Sequence, residues 1–141
     1  MTVSPLSGGG AGEFLARFSH FEDGVITGIR LELPRPGGTG PGWSAVFDIQ
    51  AMDATAGNDW RLVRITLGGV YEYQFPCSRE YTYFVLSDGL NLDCTAERCL
   101  LDLDPGPDEW WPEQVGRPGP YSKQYAIGAW GGYEVLDGPF I

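Results

Sequence analysis

The only histidine of the chain, His20, lies in the run Phe18-Ser19-His20-Phe21-Glu22-Asp23-Gly24. Imidazole titrates closest to neutral pH of all side chains, and a neighbouring carboxylate fixes its tautomer. His20 with Glu22 or Asp23 is therefore the candidate general base. Catalysis also needs a nucleophile or a held cofactor. The chain has no Gly-x-Ser-x-Gly elbow, HExxH helix, dinucleotide fingerprint or phosphate-loop lysine to supply one. The competing expectation is a turn before Val25, in which Ser19, His20 and Asp23 satisfy backbone groups and Gly24 relieves the bend. An enzyme using His20 is thus the lesser alternative, with no cofactor expected.

Cys94 and Cys99 flank a four-residue link and could face each other across a hairpin, as a disulfide or a paired metal site. Cys77 and His20 would complete three thiolates and one imidazole, but the spacings are unlike the two-residue knuckles of structural zinc sites. The expectation is free cysteines packed as small hydrophobes, in a reducing compartment, with no metal. Asp102, Asp104, Asp108 and Glu113 fall at positions 1, 3, 7 and 12 of a calcium-loop ruler. Position 6 is Pro107, whose ring locks φ near about −65° where the sharp bend requires glycine, so that reading fails.

A stronger signal is charge. From Asp88 to Glu113 eight acidic residues stand against Arg98 alone, which places seven of the ten net negative charges in one segment. Trp110 and Trp111 sit among them. Acidic groups steer a basic partner and exposed tryptophans anchor interfaces. Asp102, Asp104, Asp108, Glu109, Trp110, Trp111 and Glu113 are therefore the candidate binding residues for a basic protein. The alternative is that the tryptophans close the core while the carboxylates keep the protein soluble.

The elements that must position these groups read as short strands. With 21 glycines and 11 prolines in 141 residues, turns are frequent. Residues 13–19 carry Phe14 and Phe18 with Phe21 just beyond, the spacing of a short helix with one aromatic face. Alternation marks strands at 25–33, 43–52, 60–67, 70–75, 83–86, 90–94, 98–103, 124–127 and 132–136. Gly68-Gly69 between two such runs reads as a hairpin turn, and Pro34–Gly42 as a mobile connection. Residues 1–12 read as a flexible start and 13–141 as one domain. That domain is mainly β, or α+β with one short N-terminal helix, and forms an antiparallel sandwich or partly open barrel of roughly eight strands.

A net charge of −10 disfavours nucleic acid and anionic membrane surfaces, and no apolar run is long enough to span a bilayer. The N-terminus lacks a basic n-region and an apolar h-region, so a cytoplasmic location is expected. Phe21-Glu22-Asp23-Gly24-Val25-Ile26, Arg64-Ile65-Thr66-Leu67-Gly68-Gly69-Val70, Leu86-Ser87-Asp88-Gly89-Leu90 and Tyr125-Ala126-Ile127-Gly128 resemble a group of small bacterial proteins similar to the immunity proteins of polymorphic toxin systems. The His-Asp pair frequent in that group is split here by Phe21 and Glu22. The resemblance implies a β-rich cytoplasmic binder without enzymatic activity. The expected function is a non-enzymatic, immunity-like protein-binding domain. The alternative is a small-molecule-binding barrel with Trp43, Trp60, Tyr71 and Tyr73 lining its cavity. Nothing in the chain specifies an oligomeric state.

Overall fold

A computed structural model describes residues 3–7, 9–34, 42–76, 79 and 84–136. Cys77, Tyr83 and most of the Pro34–Gly42 connection lie outside these residues. The described strands are β1 (Ser4–Pro5), β2 (Gly24–Glu32), β3 (Trp43–Asp53), β4 (Asp59–Val70), β5 (Glu72–Gln74), β6 (Val85–Leu86), β7 (Asn91–Cys94), β8 (Cys99–Asp102), β9 (Tyr125–Gly128) and β10 (Trp130–Leu136). They form two open antiparallel sheets, ordered β1-β10-β4-β3-β2-β6 and β5-β9-β8-β7. The fold is mainly β, as the alternation implies.

Period-two patterning sets the faces. Ala45, Phe47 and Ile49 of β3, with Val63, Ile65 and Leu67 of β4, point inward against Leu92, Cys99, Leu101 and Ala126 of the smaller sheet. This interior is filled by side chains and the sheets do not close, which removes a barrel with an internal ligand cavity. Trp43 and Trp60 also stand at opposite ends of the β3–β4 ladder, opposite Val70 and Met52.

The helix α1 (Gly10–Arg17) covers part of the inner face that the smaller sheet leaves open. Phe14 packs on Tyr133 with ring centroids 4.3 Å apart, and Phe14, Phe18 and Phe21 form one cluster with centroids 5.2–5.3 Å apart. The helix starts earlier and stops sooner than the phenylalanine spacing suggests. Ser19, His20 and Phe21 all take left-handed φ angles near 55°, so the chain reverses hand while still burying Phe18 and Phe21. Those two rings hold a conformation that non-glycine residues seldom adopt.

Two further expectations are corrected. Within the N-terminal stretch expected to be flexible, Ser4–Pro5 pairs with Tyr133 and Gly132 and Leu6 is fully buried. Gly68-Gly69 is not a hairpin turn. A primed two-residue turn needs positive φ at its first glycine, but only Gly69 has it (φ +60°). β4 runs on to Val70 with a bulge at Gly69, and the chain then crosses into the other sheet, where β5 pairs with β9. Gly68 is required for another reason: a Cβ there would run into the Trp130 ring.

The cysteines are not all free, since Cys94 and Cys99, directly opposite in the β7–β8 hairpin, form a disulfide. Closing so short a loop restrains the unfolded chain by about 2 kcal/mol in the chain-entropy account.

Helix and sheet are tied by an ion pair. Arg17 Nε and Nη2 donate to the two oxygens of Asp53 at 3.0 and 2.9 Å, and Asp53 also accepts from the Thr55 amide and hydroxyl. Arg17 holds the Asp53 carboxyl down at about 2, against 3.8 unperturbed. Stability from this pair is complete above pH 3.8 and is lost as pH falls toward 2. Asp53→Asn should cost about 1–2 kcal/mol at neutral pH and flatten the acid limb of stability between those values, as read by urea melts across pH.

Candidate functional site

Neighbouring antiparallel strands need a link of only two to five residues. β8 and β9 are neighbours, yet the chain between them runs from Leu103 through Gln124 with one 3₁₀ turn, Pro112–Gln114. Unstructured links beyond roughly 12–15 residues are usually functional, and here the ends are pinched together in the manner of an Ω-loop. The Leu103 amide donates to the Gln124 carbonyl at 2.8 Å and the Ser122 amide to the Asp104 carbonyl at 2.6 Å. The loop folds back over the outer face of the smaller sheet, where Leu100, Val115, Tyr125 and Ile127 form a second apolar cluster with Trp110 packed on it.

Asp102 holds this loop down. Leu101 faces the main core, so Asp102, next in β8, faces outward under the loop, where it is fully buried. Oδ1 accepts from the Asp104 amide at 2.8 Å, and Oδ2 accepts from the Trp110 indole N–H at 2.8 Å and the Ser122 hydroxyl at 2.6 Å. Burial pushes the Asp102 carboxyl above its ordinary range, opposed by those three donors. The half-buried Asp104 is raised by the same cause and by the nearby charges of Asp102 and Asp88. Beside them the Tyr125 hydroxyl donates to Glu72 Oε2 at 2.7 Å, and burial and that carboxylate push Tyr125 up to about 12.

The binding residues read from the sequence therefore separate. Asp102 is interior, and its role is to position the loop. Asp108, Glu109, Trp111 and Glu113 are exposed on the loop, Asp104 is half-buried, and Trp110 is half-buried with its N–H turned inward. A cavity of about 280 Å³ opens in the loop, its walls including Trp110, Tyr121, Pro118 and Pro120 and its rim Asp108, Glu109 and Arg117. A second, of about 210 Å³, shares Pro105, Pro120 and Tyr121 with it and holds Asp88 and Asp104. Tyr121 is the wall between them, seated against Gly106, where a Cβ would lie 2.5 Å from its ring. Residue types alone mark the prolines of this loop but not Tyr121. Only the excess length of the connection points to that ring.

His20 is exposed and, among the described residues, its imidazole makes no hydrogen bond or ion pair with Glu22, Asp23 or any other group. Its backbone does the work: the His20 carbonyl accepts from the Leu90 amide at 3.0 Å, and the Asp23 amide donates to the Leu86 carbonyl at 2.8 Å. These bonds dock the exposed carboxylates of Glu22 and Asp23 beside the Ser87-Asp88-Gly89 turn, so residues far apart in sequence join the acidic side of the molecule. No group of three His, Cys, Asp or Glu among the described residues is arranged to hold a metal. No helix of the described residues is long and apolar enough to cross a membrane.

No protein-family model, curated protein or solved structure matches this chain.

Replacing Asp102 by leucine strands three donors under the loop and should cost about 2–4 kcal/mol. A carboxyl raised on folding binds its proton more tightly in the folded state, so wild-type stability rises as pH falls toward 3.8. The gap between wild type and Asp102→Leu in denaturant melts should therefore widen with acidification, the opposite of the Asp53 trend.

Proposed function

We propose that this chain is a non-enzymatic protein-binding domain that captures a basic protein partner on its acidic, tryptophan-bearing loop. The observation that carries this reading is the fully buried Asp102 carboxylate. It fixes an over-long surface loop in one shape and presents a cavity walled by aromatic and proline side chains and edged by Asp108 and Glu109. Binding loops built on rigid scaffolds lose less entropy on association, and an acidic surface raises the encounter rate with cationic partners. By the resemblance of its sequence motifs, the partner class is a basic toxin neutralised in an immunity-like manner.

A second reading, capture of an apolar small molecule, has one observation in its favour. Trp43, Val70, Tyr71, Glu72 and Tyr73 line a surface depression of about 490 Å³, within the usual size range of ligand sites.

The test is binding of arginine- and lysine-rich proteins to the immobilised chain between about 0.05 and 0.5 M salt. Affinity should fall at least about tenfold across that range and again in the triple variant Asp108→Asn, Glu109→Gln, Glu113→Gln. Affinity indifferent to both changes refutes the reading.

A further inference from the structure

Resting on that reading, we infer that the cavity lined by Trp110 and Tyr121 is the seat of one arginine side chain of the basic partner. At about 280 Å³ it lies just below the roughly 300–1,000 Å³ typical of small-molecule pockets, so it suits one long side chain rather than a cofactor. Its aromatic walls cannot hydrogen-bond through the indole, because the Trp110 N–H is already given to Asp102. Trp110 therefore offers ring surface alone. Tyr121, fixed over Gly106, forms a second wall, and the prolines 105, 118 and 120 shape the remainder.

Such a slot favours a flat cation. Guanidinium stacks on aromatic faces, is weakly hydrated and pairs with carboxylates through two parallel N–H groups. A lysine ammonium is compact and strongly hydrated and gains less from the same walls. Asp108 and Glu109 on the rim supply acceptors for the outer N–H groups, and both are exposed, so neither has been desolvated in advance. Arg117 is the rim's own cation, placed where it competes with an incoming one. The adjoining cavity holding Asp88 and Asp104 lies on the other side of Tyr121 and extends the acidic track beyond the slot.

The experiment compares blocked tetra-arginine, tetra-lysine and tetra-citrulline peptides by calorimetry at low salt, using wild type, Tyr121→Ala, Tyr121→Phe and Arg117→Ala, with circular dichroism confirming each fold. The expected result has three parts. Tetra-arginine binds about tenfold tighter than tetra-lysine, and tetra-citrulline does not bind. The arginine preference disappears in Tyr121→Ala but survives in Tyr121→Phe, which keeps the ring. Arg117→Ala binds tetra-arginine more tightly. Equal binding of arginine and lysine peptides, unaffected by Tyr121→Ala, overturns the slot while leaving the acidic surface standing as a docking site. Absence of binding by either cationic peptide, alongside salt-insensitive protein binding, overturns both.

Discussion

A carboxylate that is fully buried and still surrounded by donors governs the shape of the acidic loop. Asp102 takes one amide, one indole and one hydroxyl, which anchor the start, middle and end of the Leu103–Gln124 connection. Burying such a group costs several kcal/mol unless its acceptors are used, so the loop has few alternative conformations that leave Asp102 satisfied. Desolvation and hydrogen bonding pull in opposite directions here, and desolvation prevails, which is why its carboxyl stands above the ordinary range. The apolar cluster that Val115 of the loop forms with Leu100, Tyr125 and Ile127 beneath it supplies the area that offsets the ordering entropy.

The second constraint is how two open sheets are joined. Among the described strands the chain passes between sheets after β4, β5, β6 and β9, and the first and last of these crossings touch: the Ala129 amide donates to the Gly68 carbonyl and the Tyr71 amide to the Ile127 carbonyl. So close an approach leaves no room for side chains; a Cβ on Gly128 would sit 2.6 Å from the Gly68 carbonyl oxygen. On the opposite side of the fold, the left-handed turn at Ser19–Phe21 joins helix to strand and carries Glu22 and Asp23 to the Asp88 turn. Its strain is held by two buried rings and a carbonyl bond to Leu90, and His20 is exposed as a consequence.

Asp53 and Asp102 are perturbed in opposite directions for a clear physical reason. Asp53 is buried but receives two N–H groups of the half-buried Arg17, so pairing outweighs burial and its acid form is disfavoured. Asp102 meets only neutral donors in a dry setting, and burial outweighs pairing. The first fastens α1 to the main sheet. The second fixes the shape of the acidic loop.

Much of the strand pattern was legible because period-two alternation survives wherever one face is buried: Trp43–Met52, Trp60–Leu67 and the Cys94–Cys99 hairpin could be read from residue types alone, as could the aromatic stripe of α1 and the crowding of acidic charge after Asp88. Glycine pairs carry no such imprint. Gly68-Gly69 permits a hairpin, a bulge or a seat for an indole ring, and only the position of Trp130 and the register with β3 select among them. Likewise, composition could count Asp102 with its acidic neighbours but could not tell that it is buried beneath the loop. That depends on which face of β8 the loop covers, a contact between segments distant in sequence. The chain by itself determined a β-rich fold and a concentrated negative charge; the tertiary structure decided which acidic groups remain in water, because burial is a property of packing.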